Sequence, residues 1–221
     1  MSIYETVFKE GEKESRASFE ANLSAEGRET TDKYIVLVSL GADGNSCGGV
    51  IFSYLRVVNC GYISYLMVEP GMRRRGLGTG LFYAAKAALD SHAQTFGHAA
   101  IDGVFTEIEK ESPLDPDTYE RFRFWEHLGV LPLDVEWVYP ELVPGKTPVN
   151  MYLAYGPLGV SHTWTAAMLK SAAEEIFRAT YAYLPGARSV LMKILEGLDS
   201  LSPNVNIAYH RSLAMPIWPT R

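Results

Sequence analysis

Residues 73–80, Arg-Arg-Arg-Gly-Leu-Gly-Thr-Gly, combine the backbone and side chains that bind an anion. Glycines let the main chain approach a ligand closely, and the unpaired N–H groups of a helix start attract negative charge. Arginines add charge and planar donors. The chemistry favoured is a cradle for a pyrophosphate. Two common cradles do not fit the residues. A Walker loop ends in Gly-Lys-Ser/Thr, whereas Gly80 is followed by Leu81. A dinucleotide fingerprint beginning at Gly76 needs glycine at Leu81, and no carboxylate is well placed about 20 residues on. A second stretch is acidic. Glu107, Glu109 and Glu111 precede Pro113 and Pro116, and such a run attracts a cation or is simply solvated.

The elements around the loop can be read from apolar spacing. Residues 62–68 form an apolar run suited to a buried strand, ended by Pro70 and Gly71. Leu77, Leu81, Ala85, Ala88 and Leu89 then recur at helical spacing, and Gly97 stops that helix near Phe96. Upstream, residues 34–40 and 50–58 read as strands joined by turn residues 41–46, and residues 59–61 turn into the strand 62–68. Three strands in succession predict an antiparallel meander. Residues 2–9 alternate weakly and predict a first edge strand, followed by a short helix within 11–25.

Downstream, residues 99–108 predict a strand, weakened by Gly103. Asp117 or Thr118 caps a helix over 119–128 that Gly129 ends. Residues 133–139 and 149–155 read as two strands linked by a proline-rich loop. Beyond Gly156, Trp164, Met168, Ala172 and Ile176 share one helical face, and Val190, Leu191, Ile194, Leu195 and Leu198 share another. A tail with Pro203, Pro216 and Pro219 follows.

The stretch 62–89 resembles the coenzyme-A loop of the GNAT superfamily of N-acetyltransferases. In that pattern a strand ends in Val, a few residues often including Pro follow, and Arg/Gln-x-x-Gly-x-Gly/Ala opens a helix. Here Val68 ends the strand, Arg73 holds the Arg/Gln position, and Gly76 and Gly78 are the two small residues. A weaker resemblance is Phe124-Trp125-Glu126-His127-Leu128-Gly129, where the family often has aromatic-Tyr-Glu-x-x-Gly. Together the likeness spans roughly residues 33–155. It implies an α/β (α+β) fold with a mixed, mostly antiparallel central sheet flanked by helices. On that reading residues 1–156 are the acetyltransferase domain. Residues 157–221 are a helical extension packed on this core, on a second copy in a homodimer, or against the acceptor pocket.

The resemblance also implies chemistry. Acetyl-CoA, or another acyl-CoA, is the donor, and no metal is expected. Backbone N–H groups around Arg74, Arg75, Gly76, Leu77, Gly78 and Thr79 hold the pyrophosphate, with charge from Arg73, Arg74 and Arg75. Leu66, Met67 and Val68 pair with the pantetheine chain, and a backbone N–H of Met67 or Val68 polarises the thioester carbonyl. An attacking amine must be neutral, whereas a lysine-type amine titrates near ~10.4, so a base helps. The strand 62–68 offers Tyr62, Ser64 and Tyr65 but no His or Glu. Glu107 is the candidate base, beside the family's acceptor cleft, with Glu109 and Glu111 behind it. Trp125 replaces the tyrosine that often protonates the leaving thiolate, and indole N–H is no useful acid. Its role is packing against pantetheine or filling core. The acceptor, a small-molecule or peptide amine, is not specified by the sequence. An acyl-CoA-binding protein without chemistry is the alternative.

Composition limits the remaining classes. At 221 residues and 47% hydrophobic the chain has ample material for a core. A net charge of −6 argues against a nucleic-acid surface. Cys47 and Cys60 form no disulfide framework, and neither a signal core nor an apolar run of ~20 residues is present. A cytoplasmic protein with no membrane partner is the expectation.

Overall fold

Val, Ile, Phe and Tyr dominate three successive segments, and a computed structural model pairs them as the first half of a seven-stranded sheet. The structure describes residues 2–8, 13–15, 20, 34–142, 149–159 and 163–209. Strands β1 (Tyr34–Leu40), β2 (Ser46–Leu55) and β3 (Cys60–Val68) form the expected antiparallel meander. Helix α1 (Ser2–Val7) precedes them and α2 (Leu77–Gln94) follows. Next come β4 (Gly103–Glu109), α3 (Asp117–His127), β5 (Leu131–Pro132), β6 (Trp137–Tyr139) and β7 (Val149–Pro157). Helices α4 (Ala166–Ile176) and α5 (Ala187–Asp199) are joined through a π-helical turn, Phe177–Tyr181.

The sheet order is β1-β2-β3-β4-β7-β5, with β6 also on β7. Every pairing is antiparallel except β3 with β4. This is the mixed, mostly antiparallel sheet that the resemblance implied. Alternation along the strands serves two cores. Val50, Phe52, Tyr54, Ile63, Val104 and Ile108 face α2 and α3. Leu55, Tyr62, Phe105, Leu153 and Tyr155 share the opposite core with α4 and α5. The C-terminal helices therefore bury their apolar faces on the sheet itself.

Several expectations are corrected. The strand expected over 133–139 is instead two short ones, β5 and β6, because the Asp134 N–H turns away to bond the Ala208 carbonyl, and the strand expected from 99 begins only at Gly103. Residues 2–7 are a helix, not an edge strand, because Ile3 and Tyr4 turn inward on Ile51, Tyr65 and Met67. Tyr4 and Phe8, four residues apart, both pack on the Tyr65 ring. Strand β2 begins at Ser46, four residues early, through two glycines that a close approach requires. A Cβ at Gly48 would lie 3.0 Å from Leu81 Cδ1 and 3.1 Å from the Met67 carbonyl oxygen. Met168 points outward, since the buried face of α4 is Ala166, Leu169, Ala172, Ala173 and Ile176. The expected helix within 11–25 and the tail beyond 209 lie largely or wholly outside the described residues.

Candidate active site

The site begins where two neighbouring strands part. Parallel pairing of β3 with β4 runs from Cys60↔Gly103 to Ile63↔Thr106 and stops, although β3 continues to Val68 and β4 to Glu109. Thr106 Oγ1 donates to the Ile63 carbonyl at 3.0 Å and closes the last rung. The register of β3 against β2 also slips here, passing from Ile63 to Tyr65 without Ser64. Such a bulge bends a strand locally. Residues 64–68 consequently have β2 along one edge and, among the described residues, no strand along the other. Ser64 Oγ is buried there with no hydrogen-bond partner. Main-chain polar groups left in this way call for a ligand or water.

The Gly/Arg loop lies at the open end of that fork. After Val68 the chain makes a 3-10 turn, Pro70–Met72, and returns to extended backbone at Arg73. Arg73 Nε donates to the Val68 carbonyl at 3.3 Å, and Arg75 Nη1 lies 3.9 Å from Met72 Sδ. Arg74, at φ 59°, and Gly76, at φ 80°, both occupy the left-handed region. Gly76 is the N-cap of α2, and no side chain caps the first N–H groups of that helix. Those of Leu77, Gly78 and Thr79 thus meet the requirement for binding an anion. All three arginines are exposed. Gly78 has a steric role: its missing Cβ would lie 3.1 Å from Phe124 Cε2 and 3.6 Å from Leu66 Cδ2.

The residues expected on the donor side are gathered, with distinctions. Leu66, Val68, Leu77 and Phe124 sit together, half-buried, at the edge of the core beneath α2 and α3. Met67 points to the other face, against Ile3, Tyr4 and Tyr65, and its carbonyl turns toward Gly48 on β2, so of the expected pair it is Val68 whose backbone faces away from β2. Trp125 is 8% exposed and packs edge-on against Phe82 and Phe124, which makes it a core residue between α2 and α3. The residues fit a pyrophosphate and an extended chain: an uncapped helix start, an orphaned hydroxyl and a free strand edge.

Glu107 follows Thr106 by one residue, at the point where the strands part, and faces α4 and α5. Three donors converge on it. Tyr62 Oη donates to Oε2 at 2.8 Å, Trp137 Nε1 donates to Oε1 at 2.5 Å, and Tyr181 Oη also donates to Oε2. The Tyr62 and Tyr181 hydroxyls are themselves 2.9 Å apart. Burial holds the Glu107 carboxyl above the usual carboxylate range, and the three donors pull the other way without cancelling it. Burial and the Glu107 charge keep the phenols of Tyr62, Tyr139 and Tyr181 protonated. Glu107 nonetheless keeps intermediate accessibility. Phenols continue the column away from it: the Tyr139 ring lies 5.5 Å from that of Tyr181, and the Tyr139 and Tyr65 hydroxyls are 3.5 Å apart.

The two alternative carboxylates are placed differently. Glu109 is paired with Arg121, which also reaches Asp115 at 3.6 Å. Glu111 stands in the exposed loop near Tyr152. Residues that sequence reasoning missed are Phe124, Trp137 and Tyr181, and the hydroxyl of Tyr62 counted only as the absence of a base. An uninterrupted α-helical spacing would have put residue 180, not 181, on the buried face of α4. The π turn moves Tyr181 inward, and no pattern in the sequence announces it.

Comparison with known proteins agrees with this geometry. Residues 2–102 match the sequence model of the acetyltransferase (GNAT) family. A structure described as an acetyltransferase of the GNAT family from Bacteroides thetaiotaomicron superposes with a TM-score of 0.56 at 14% identity, covering 82% of this chain and 88% of that one. That likeness concerns the fold. A nourseothricin acetyltransferase (TM-score 0.43, 17% identity, 59% and 67% covered) and a streptothricin acetyltransferase of Bacillus anthracis in complex with acetyl coenzyme A (0.41, 20%, 57% and 62%) are more distant and carry no argument about substrate. No curated protein sequence matches the chain. Residues 2–102 thus carry the sequence pattern of the GNAT acetyltransferase family, and the fold over most of the chain is similar to that of a GNAT-family structure.

Proposed function

We propose that the protein transfers an acetyl group from acetyl-CoA to an amine, by direct attack within a ternary complex. The observation that carries this reading is the fork between β3 and β4, opening beside the uncapped start of α2. In this reading the N–H groups of residues 77–79 and the Arg73–Arg75 side chains hold the pyrophosphate. The free edge of residues 64–68 takes the extended pantetheine as an added strand, and Ser64 Oγ supplies a further polar contact. The backbone N–H of Val68, on the edge away from β2, faces the thioester oxygen as its negative charge develops. The bond that forms joins the amine nitrogen to the carbonyl carbon, and the bond that breaks is carbon to sulfur. Glu107 takes the proton that the amine sheds, and burial raises its affinity for protons in the direction that task needs. Trp125, enclosed in the core, supplies no proton to the departing thiolate.

A second reading is an acyl-CoA-binding protein without chemistry. The three donors already on Glu107 and the indole at position 125 favour it. One experiment separates the two: a panel of primary amines, from polyamines to lysine peptides, assayed for CoA release with product mass. Amine-dependent release, abolished or reduced about 10²–10⁴-fold by Glu107→Gln, supports transfer. Tight acetyl-CoA binding without release across the panel supports the binding protein.

A further inference from the structure

The C-terminal extension reaches into the site. Tyr181 closes the π turn after α4 and is 1% exposed, and its hydroxyl donates to Glu107 Oε2, which also accepts from Tyr62 on β3. Residue 107 is thereby held by three separate elements: β3 through Tyr62, β6 through Trp137, and the extension through Tyr181. An ionised carboxylate offers about four acceptor positions. Oε2 has both of its positions filled by phenols, and Oε1 has one filled by the indole. We propose that Tyr181 is a positioning residue: with Tyr62 and Trp137 it locks the Glu107 carboxylate in one orientation and leaves a single vacant acceptor position, on Oε1, for the proton of the incoming amine. This rests on the reading of Glu107 as base given above.

The device has a physical rationale. A carboxylate free to rotate in a cleft presents either oxygen, whereas a base must stay within hydrogen-bond reach of one proton. Two phenols that lie 2.9 Å apart and share one oxygen cannot both be satisfied if the carboxylate turns away. The π turn is the cost of this arrangement, since it breaks the regular α-helical ladder to bring residue 181 onto the inner face. The aromatic rings of Phe177 and Tyr139, 5.2 Å and 5.5 Å from the Tyr181 ring, hold that phenol in place. The groups facing Glu107 from the packed elements are phenols and an indole: Tyr62 on β3, Trp137 and Tyr139 on β6, and Tyr181 after α4.

The test reads Glu107 directly. Its carboxyl stretch is followed by infrared difference spectroscopy against Glu107→Gln, as a function of pH, in the full-length protein and in Tyr181→Phe. Removing one charge-assisted donor should raise the Glu107 titration midpoint by about one pH unit or more. The acid limb of kcat/KM for whichever amine is accepted should move by the same amount. Tyr62→Phe should produce a shift of the same sign, and Met192→Ala, on the exposed side of α5, none. An unchanged midpoint in Tyr181→Phe and in Tyr62→Phe overturns the proposal, and having two variants keeps the test valid if one misfolds. A shifted midpoint in a protein that acetylates no amine leaves the positioning intact and removes the transferase reading. Active enzyme with unshifted midpoints does the reverse.

Discussion

Three glycines within five residues, Gly76, Gly78 and Gly80, should respond differently to the same substitution, because their surroundings differ. Gly80 lies in the first turn of α2, and no atom comes within 4 Å of the place a methyl group would take. Gly80→Ala therefore gains helix propensity without a clash, about 0.5–1 kcal/mol, or about 1–4 °C in Tm for a chain of this length. Gly76 has equal space but sits at φ 80°. Gly76→Ala carries the left-handed penalty of about 1–2 kcal/mol. Relief of that strain would rotate residue 76 and swing the N–H groups of residues 77–79 away from the fork. If those groups hold the pyrophosphate, losing one charge-assisted bond weakens acetyl-CoA binding by roughly 10- to 100-fold. Gly78→Ala must push the Phe124 ring by a few tenths of an ångström, and crowding offsets its propensity gain. Calorimetric titration with acetyl-CoA and thermal melts on the three variants give both quantities. Equal donor affinity in Gly76→Ala and Gly80→Ala would refute the assignment of the helix start as the anion cradle.

Other outcomes follow from buried carboxylates. Glu107 binds its proton more tightly folded than unfolded, so its contribution to stability is largest at acid pH and falls as pH rises from the ordinary carboxylate range through the raised folded value. Glu107→Gln should therefore flatten that slope and raise Tm at pH 8 while lowering turnover, and urea melts at pH 5 and pH 8 check the sign. Glu175, on α4, accepts the Val57 and Val58 N–H groups at 2.8 Å and 3.2 Å and pairs with Arg178 at 2.9 Å. Glu175→Ala should cost about 2–3 kcal/mol by leaving the β2–β3 turn uncapped. Glu175→Gln, which keeps a carbonyl oxygen there, should lose clearly less in the same denaturation assay.

Much of this architecture is readable from residue spacing, for reasons that also explain the failures. Strands β1, β3 and β7 and helices α2, α3, α4 and α5 carry apolar patterns long enough to dictate their form. Helix α1 does not, because six residues hold little periodicity and its fold is decided by Tyr65 beneath it. Gly48 and Gly49 resemble turn residues, yet they lie in a strand where Leu81 and the Leu37 carbonyl come close. The Gly/Arg loop is local in the chain, and so its strand–loop–helix form is legible as a unit. The surroundings of Glu107 are not local: its three donors come from positions 62, 137 and 181, and only the sheet order and the π turn unite them. For the same reason Phe124 draws less attention than Trp125 in the sequence, although Phe124 borders the fork and Trp125 fills the core.

Backbone amide exchange with and without acetyl-CoA tests most directly where the donor sits. Slowed exchange confined to residues 64–68 and 76–80 is the predicted result, since a bound pantetheine would pair with the free edge of β3 and a pyrophosphate would cover the start of α2. Acetyl-CoA binding that leaves both segments unprotected, or that protects another face of the sheet, would contradict the account.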